Sequence, residues 1–136
     1  MSAEDLSDIV LGRRAVEWVA QDALHVAFLA ERPVRPGHVI VATRDVVDAV
    51  ADLSPERHAA LWAFVHEMSL RLRERLPCAR VCVSVIGWVV RHAHVHLVPT
   101  DAPGQVPGLD GPPLPAEQAR AIAERLRLDA GRQEWA

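Results

Sequence analysis

His92-Ala93-His94-Val95-His96 is the run from which the organisation of this 136-residue chain can be worked out. Side chains alternate between the two faces of a β-strand, so the three histidines are expected on one face. Ala93, Val95 and Leu97 then lie on the other face and suit a hydrophobic core. Because an ordinary half-buried strand carries Thr, Lys or Glu on its open side, three imidazoles there indicate a functional site.

A row of imidazoles can bind either a metal ion or an anion. Imidazole is the commonest metal ligand, and a His-X-His pair can chelate an ion. The spacing puts the Cα atoms of His92 and His96 about 13 Å apart, however, whereas zinc needs every nitrogen at about 2.0–2.1 Å. Neutral rings can instead donate N–H bonds to successive phosphoryl oxygens. The pattern favours a phosphate site without a metal, and a metal site is the alternative.

The central ring, His94, is the candidate nucleophile. Closely spaced imidazoles oppose one another's protonation, which keeps a central histidine neutral near pH 7. A nitrogen of His94 would attack phosphorus, and water would then cleave the nucleotidyl-histidine intermediate. His92 and His96 would stabilise the charged oxygens and protonate the leaving group. Isolated histidines are interpreted as surface or satisfied core residues: His25, His58 and His66.

Apolar and alternating runs predict five short strands. They are separated by polar residues or by proline and glycine, and the two prolines and Gly37 of the segment 31–37 make it a turn. The last two runs flank Gly87-Trp88 and are expected to form a hairpin or a bent pair. The predicted strands are 16–20, 25–29, 38–42, 80–86 and 89–98.

Two helices are predicted. Ser54 is an N-cap followed by Pro55 at the first helical position, and apolar residues recur at spacings of three and four until Pro77. The segment 101–115 contains five prolines and three glycines and is expected to be a loop. A final helix over 116–128 has Ala119, Ile122 and Leu126 on its buried side.

These elements predict a single-domain α+β fold with an antiparallel sheet, in which the long helix lies between the third and fourth strands. The length suits one core, and no internal repeat indicates a second domain. Residues 1–100 are expected to form the main domain. Residues 101–136, the Pro/Gly-rich loop and the last helix, are expected to pack on that same domain.

Composition restricts the partners. The net charge is −3 and no dense cluster of Lys or Arg occurs, which argues against long nucleic acid but allows a small phosphorylated ligand. The N-terminal MSAEDLSD is acidic and lacks a signal-peptide core, and no run approaches 18 apolar residues. The protein is therefore expected in the cytoplasm, away from membranes. Cys78 and Cys82 are interpreted as reduced packing residues.

Together with Pro36-Gly37-His38-Val39-Ile40-Val41 upstream, these histidines resemble the histidine-triad (HIT) family over about residues 16–99. The resemblance implies an α+β meander fold, usually a homodimer, that acts on nucleoside phosphoramidates, dinucleoside polyphosphates or nucleotidyl sugars. It also implies that His94 is the nucleophile and that His38 supports the site. Phe28 and Ile40 fall where such proteins form the base pocket.

Two stretches depart from the family's pattern. Members often carry an acidic or amide residue for the ribose hydroxyls where this chain has Ala30, with Glu31 beside it. Many also have Gly-Gln-Ser/Thr before the first triad histidine to hold the phosphate, and this chain has Gly87-Trp88-Val89. Each lost donor could cost about 1–3 kcal/mol of ligand binding. Trp88 is interpreted either as a stacking surface for a different substrate or as a core filler at the strand bend.

The sequence therefore predicts a nucleotide hydrolase or nucleotidyl transferase that acts at the α-phosphate through a nucleotidyl-His94 intermediate and needs no cofactor. One alternative is a catalytically weak nucleotide-binding module of the same fold, in view of Trp88, Val89 and Ala30. The other is a His-rich metal-binding protein. Arg91 is interpreted as a solvated charge. Trp135 is either a frayed end or a contact to a partner subunit's pocket.

Overall fold

Five antiparallel strands form one sheet with helices on both faces. The computed structural model describes residues 3–105 and 112–127 of the chain. In chain order the elements are α1 (Ala3–Val10), β1 (Trp18–Gln21), β2 (His25–Leu29), β3 (Val39–Thr43), α2 (Pro55–Arg75), β4 (Arg80–Ser84), β5 (His94–Thr100) and α3 (Ala116–Leu126).

The strand order is β1-β2-β3-β5-β4, and every neighbouring pair is antiparallel. Strands β1 to β3 form a meander, after which α2 crosses to the far edge of the sheet. The chain then forms edge strand β4 and returns as β5, which fills the gap between β3 and β4. The predicted α+β fold with five antiparallel strands is confirmed, and the β4–β5 pair is a hairpin.

One face of the sheet carries the main hydrophobic core. Val95 and Leu97 of β5 pack there with Val39 and Val41 of β3, under helices α2 and α3. Helix α2 begins as the sequence predicts, because the Ser54 hydroxyl accepts a hydrogen bond from the Arg57 N–H at 3.2 Å. The buried hydrophobic residues of the two helices are Leu61, Phe64, Val65, Met68, Leu72, Ile122, Ala123 and Leu126.

The opposite face carries the histidines and helix α1, which the sequence analysis does not predict. Leu6 and Ile9 of α1 are fully buried against Val26, Phe28 and Ile40. The spacing of Leu6, Ile9 and Val10 is helical, but a segment of eight residues is too short to be a stable helix in isolation. Its formation therefore depends on the apolar surface that β2 and β3 supply.

The predicted strand over 89–98 is wrong at its start, since β5 begins only at His94. Ala93 is instead hydrogen-bonded to the segment 43–47. Its N–H donates to the Val47 carbonyl at 2.6 Å, and its carbonyl accepts from the Thr43 N–H at 3.3 Å. Strand β4 also ends at Ser84, two residues before the predicted end. Residues 85–93 thus form a nine-residue loop within the hairpin. Strands β1 and β3 begin one or two residues later than predicted.

The C-terminal part contains the predicted final helix within the described residues. Segment 101–105 contains one short 3-10 turn, Pro103–Gln105, and helix α3 packs on α2, β1 and β2. Residues 106–111 and Trp135 lie outside the described part of the chain. None of the helices in residues 3–105 and 112–127 combines the length and apolar character needed to cross a membrane.

Candidate active site

Strand β5 presents His94 and His96 on the face opposite Val95 and Leu97, as the alternation predicts. In the sheet register His94 lies opposite Ala42, and His96 lies opposite Ile40. The two imidazole centroids are 4.9 Å apart, with the rings nearly perpendicular. The small Ala42 side chain leaves space beside His94.

His38 reaches this face through the turn before β3. Gly37 has a φ of +92°, and a Cβ atom added there would lie 2.6 Å from Leu76 Cδ1 and 2.9 Å from Pro99 Cγ. Both the backbone conformation and the close packing therefore require glycine. The turn directs His38 onto β5, although the side chain is only 2% exposed.

The hydrogen bonds of His38 and His96 determine which ring nitrogen carries the proton in each residue. The Val34 N–H can only donate, so His38 Nδ1 accepts that bond at 3.1 Å and the proton of a neutral ring is on Nε2. His38 Nε2 lies 2.9 Å from His96 Nδ1 and donates to it. The proton of neutral His96 is consequently on Nε2, where it is available to a ligand.

His94 has the opposite arrangement. Its Nδ1 lies 2.6 Å from the His92 carbonyl oxygen, which can only accept a hydrogen bond. Nδ1 therefore carries the proton of a neutral ring, and Nε2 keeps an unshared electron pair. An unprotonated ring nitrogen of this kind is what nucleophilic attack requires.

The side chain of His92 does not join this row, contrary to the expectation of three aligned rings. His92 precedes β5 and is fully buried, and its Nε2 donates to the Thr43 carbonyl at 2.7 Å. Its Nδ1 has no hydrogen-bond partner among the described residues. The expectation fails because alternation applies only within the strand, which starts two residues later.

Burial keeps the three grouped rings uncharged. It lowers the pKa of His38 to about 3 and that of His96 to about 4, and in each case a neighbouring histidine adds a smaller lowering effect. Burial also lowers the pKa of His94, partly opposed by the hydrogen bond to the His92 carbonyl. The sequence analysis attributes this neutrality to neighbouring imidazoles, but desolvation is the larger cause.

A cavity of about 380 Å³ opens in front of these histidines. Ile40, Trp88 and Val89 line it, as expected of substrate-binding residues, but Phe28 does not. Phe28 is completely buried beneath the cavity, edge-on to Trp18 at 6.2 Å. The full lining comprises Asp5, Arg14, Ala30, Glu31, Arg32, His38, Ile40, Ile86, Gly87, Trp88, Val89, Val90, His94 and His96.

A cluster of charges at this cavity was missed by the sequence analysis. Arg14 donates to both carboxylate oxygens of Glu31, at 2.7 and 2.8 Å, and to Asp5 at 3.2 Å. The hydrogen bond from Arg14 lowers the pKa of Glu31, so its carboxylate stays ionised. Glu31 therefore supplies the negative charge that Ala30 lacks. No local pattern relates Asp5, Arg14 and Glu31, because the fold alone brings them together.

A second cavity, of about 250 Å³, adjoins the first. Four residues line both cavities, namely Ile86, Gly87, Trp88 and His94. His92 and Arg91 line only the second cavity, together with Asp48 and others. Arg91 is exposed, as predicted, and lies 3.3 Å from the exposed Asp48 carboxylate.

The described residues do not assemble a metal-binding cluster. Within 3–105 and 112–127, no group of three or more His, Cys, Asp or Glu side chains could hold a metal ion. The metal-binding alternative therefore has no ligand set in these ranges, and elemental analysis of purified protein would decide it.

Comparison with known proteins finds relatives of this chain. Residues 14–102 match the family model of the HIT domain. The chain is 30% identical over 81 residues to a bis(5′-adenosyl)-triphosphatase of Dictyostelium discoideum, covering 56% of this chain and 54% of that protein. It therefore spans about half the length of that relative. It is also 31% identical over 98 residues to an uncharacterized HIT-like protein of Saccharolobus solfataricus, covering 68% of this chain and 70% of that one.

Among solved structures, a HIT-like protein from Bartonella henselae superposes with a TM-score of 0.79. The match covers 90% of this chain and 92% of that chain, at 17% sequence identity. At this identity the likeness concerns the fold.

Proposed function

Because the chain belongs to the HIT domain family, we propose that it cleaves nucleotides at the α-phosphate. The substrate is a nucleoside phosphoramidate, a dinucleoside polyphosphate or a related nucleotide, and the reaction is hydrolysis or nucleotidyl transfer. The triphosphatase named for the Dictyostelium relative supports a hydrolase. The observation that carries the proposal is the 2.6 Å contact from His94 Nδ1 to the His92 carbonyl, which leaves Nε2 unprotonated at the cavity.

In the first step His94 Nε2 attacks the α-phosphorus and forms a P–N bond. The bond from phosphorus to the leaving group breaks, and its electron pair departs with the leaving group. The His92 carbonyl stabilises the positive charge that develops on the His94 ring, since it accepts the Nδ1–H bond. In the second step water attacks phosphorus and forms a P–O bond, the P–N bond breaks with its electron pair returning to Nε2, and the proton lost by the water passes to solvent.

His96 acts as a hydrogen-bond donor rather than as an acid. Its Nδ1 is occupied by the His38 N–H, so Nε2–H can bind a phosphoryl oxygen. A neutral imidazole does not readily lose that proton. A leaving phosphate therefore departs as an anion, and a leaving amine takes its proton from solvent.

The main cavity holds the nucleoside half of the substrate. Ile40 and Val89 supply apolar contacts for a base, and Glu31 can accept hydrogen bonds from ribose hydroxyls. Both Glu31 oxygens already accept from Arg14, but an ionised carboxylate offers about four acceptor sites. This carboxylate replaces the acceptor missing at Ala30.

The test is to trap the covalent intermediate. Wild-type protein, His94→Ala and His66→Ala are mixed with adenosine phosphoramidates and dinucleoside polyphosphates, quenched in base and examined by mass spectrometry. We expect a nucleotidyl adduct on the peptide containing residues 92–96 in the wild type and in His66→Ala, whose exposed histidine lies on α2. His94→Ala should have neither adduct nor turnover while keeping its circular dichroism spectrum. An unchanged rate in His94→Ala would refute the proposal.

A catalytically weak binding module is the second candidate. The observation that favours it is the presence of Trp88 and Val89 in the cavity wall. Val89 has no hydrogen-bond donor, and the only donor of Trp88 is its indole N–H, on a side chain that is 80% exposed. Calorimetric titration with AMP, run beside the turnover assay, separates the two. Binding without turnover of any substrate would support the module, and turnover would exclude it.

We further propose that the protein is a homodimer joined through β4. Among the described residues this edge strand pairs only with β5, and Val83 is 43% exposed on it. Two copies can pair their β4 edges antiparallel about a two-fold axis, which removes the open edge from both.

Light scattering after size-exclusion chromatography tests the dimer. Val83→Glu should shift the protein to a monomer because it places like charges across the axis. The control, Val46→Glu, changes a valine that is 72% exposed outside the strands and should leave the mass unchanged. A monomeric wild type would contradict the proposal.

A further inference from the structure

His94 lies at the junction of the two cavities. The main cavity also contains His38 and His96, whereas the second contains His92 and Arg91. A substrate whose reacting phosphorus lies at His94 therefore has one cavity available on each side of that atom. The proposed function assigns the nucleoside half to the main cavity, so the second is available to the group that leaves.

Trp88 stands at this junction and is exposed. Its side chain lines both cavities and is 80% exposed, which excludes the role of a core filler. The preceding Gly87 has a φ of +74°, a conformation that favours glycine and turns the chain so that the indole projects outward. A large exposed indole beside a reactive histidine offers a flat surface for a ring of the ligand.

His92 lines the second cavity, but its ring does not present a polar atom to a ligand there. The ring is fully buried and fixed by the bond from Nε2 to the Thr43 carbonyl, and Nδ1, which has no partner among the described residues, is also sealed from solvent. The case for a ligand in this cavity therefore depends on Trp88 and Arg91.

Arg91 adds a positive charge to the same cavity. Its contact with Asp48 is 3.3 Å long and both side chains are more than half exposed, so the pair is weak. The guanidinium can therefore turn to phosphate oxygens of a ligand. An aromatic surface and a cation at one cavity together match a phosphorylated group that ends in a planar ring.

We propose that the second cavity binds the leaving group and that Trp88 selects leaving groups with a terminal planar ring, of which a second nucleoside is the prototype. The inference rests on the proposed function and names its specificity-determining residue. Stacking of one base on an aromatic side chain is expected to raise kcat/KM about tenfold.

Two substrates with the same reacting half and the same charge test the inference. Diadenosine triphosphate carries the second nucleoside, and the γ-methyl ester of adenosine triphosphate carries a methyl group instead. Attack at the α-phosphorus releases AMP from both, with ADP or methyl diphosphate as the leaving group. The readout is the ratio of the two kcat/KM values in the wild type, Trp88→Leu, Trp88→Phe and Trp62→Leu.

We expect a ratio of about ten in the wild type that falls toward one in Trp88→Leu and is largely kept in Trp88→Phe. Trp62→Leu removes an indole on α2 that lines neither cavity and should keep the wild-type ratio. A wild-type ratio near one, or a ratio unaffected by Trp88→Leu, would overturn the inference while leaving the proposed function standing. Cleavage of neither substrate by the wild type would overturn the inference, and the proposed function would fall with it if adenosine phosphoramidates were not cleaved either. A parallel loss of the dimer in Trp88→Leu would assign the residue to a subunit contact instead.

Discussion

The Nε2 atom of His38 and the Nδ1 atom of His96 lie 2.9 Å apart, although 58 positions separate the two residues in the chain. The contact joins the start of β3 to the middle of β5 and sets the proton position on His96. In the proposed mechanism His38 would act on the substrate through His96, as a positioning residue.

Replacing His38 tests this role. His38→Leu removes the N–H that bonds to His96 Nδ1, so His96 can adopt the other tautomer and lose its Nε2 proton. We expect kcat to fall about ten- to a hundredfold. His38→Gln retains an N–H donor near the same position and should recover much of the activity. Steady-state kinetics measure both variants, with melting temperatures as the folding control. Equal activities of His38→Leu and His38→Gln would contradict the role proposed for His38.

Stability is expected to fall as the pH is lowered below the ordinary histidine pKa of 6.5. Because the folded-state pKa values of His38 and His96 are about 3 and 4, the unfolded chain binds protons at these rings between pH 6.5 and 4 while the folded chain does not. Each such ring contributes a slope of about 1.4 kcal/mol per pH unit to the free energy of unfolding. Burial also lowers the pKa of His94, which adds to the loss of stability as the pH falls.

Urea denaturation at pH 7.5, 6.0 and 5.0 measures this dependence. The free energy of unfolding should fall less steeply with decreasing pH in His38→Leu, which lacks one titrating ring. The carboxylates contribute equally to both proteins, so their contribution disappears when the two slopes are subtracted. Identical slopes would mean that His38 is protonated in the folded state.

Gly37→Ala is expected to destabilise the protein by about 2 kcal/mol or more. The new methyl group would meet Leu76 and Pro99, and alanine is strained at a φ of +92°. Gly104→Ala is the matched control, since no atom lies within 4 Å of a Cβ there, and it should change the stability by less than about 0.5 kcal/mol. Equal midpoints of chemical denaturation for the two variants would disagree with the packing at Gly37.

Leu6→Ala tests whether α1 belongs to the folded core. Leu6 is fully buried beside Phe28 and Ile40, so truncation should cost about 2–5 kcal/mol. Leu11→Ala removes the same atoms from a side chain that is 63% exposed and should be nearly neutral. Thermal denaturation of both variants gives the comparison, and a neutral Leu6→Ala would show that α1 contributes little to the core.

The placement of side chains could be predicted where it follows from a repeat along the local backbone. The period of two places His94 and His96 opposite Val95 and Leu97, and the Ser54 cap with its apolar stripe predicts α2. The start of β5 could not be predicted, because Ala93 pairs with Thr43 and Val47, which are distant in the chain. For the same reason Phe28 could not be recognised as a residue beneath the cavity rather than in its wall.

The sequence by itself determined which side chains share a face, because alternation along a strand is a property of the local backbone. Only the tertiary structure decided what those side chains can do. The proton on each imidazole depends on whether a backbone N–H, a carbonyl or another ring lies beside it. For His96 and His92 those partners, the His38 ring and the Thr43 carbonyl, come from distant segments of the chain. The same holds for the Arg14–Glu31 pair, since charges this far apart in the chain meet only after the fold has closed.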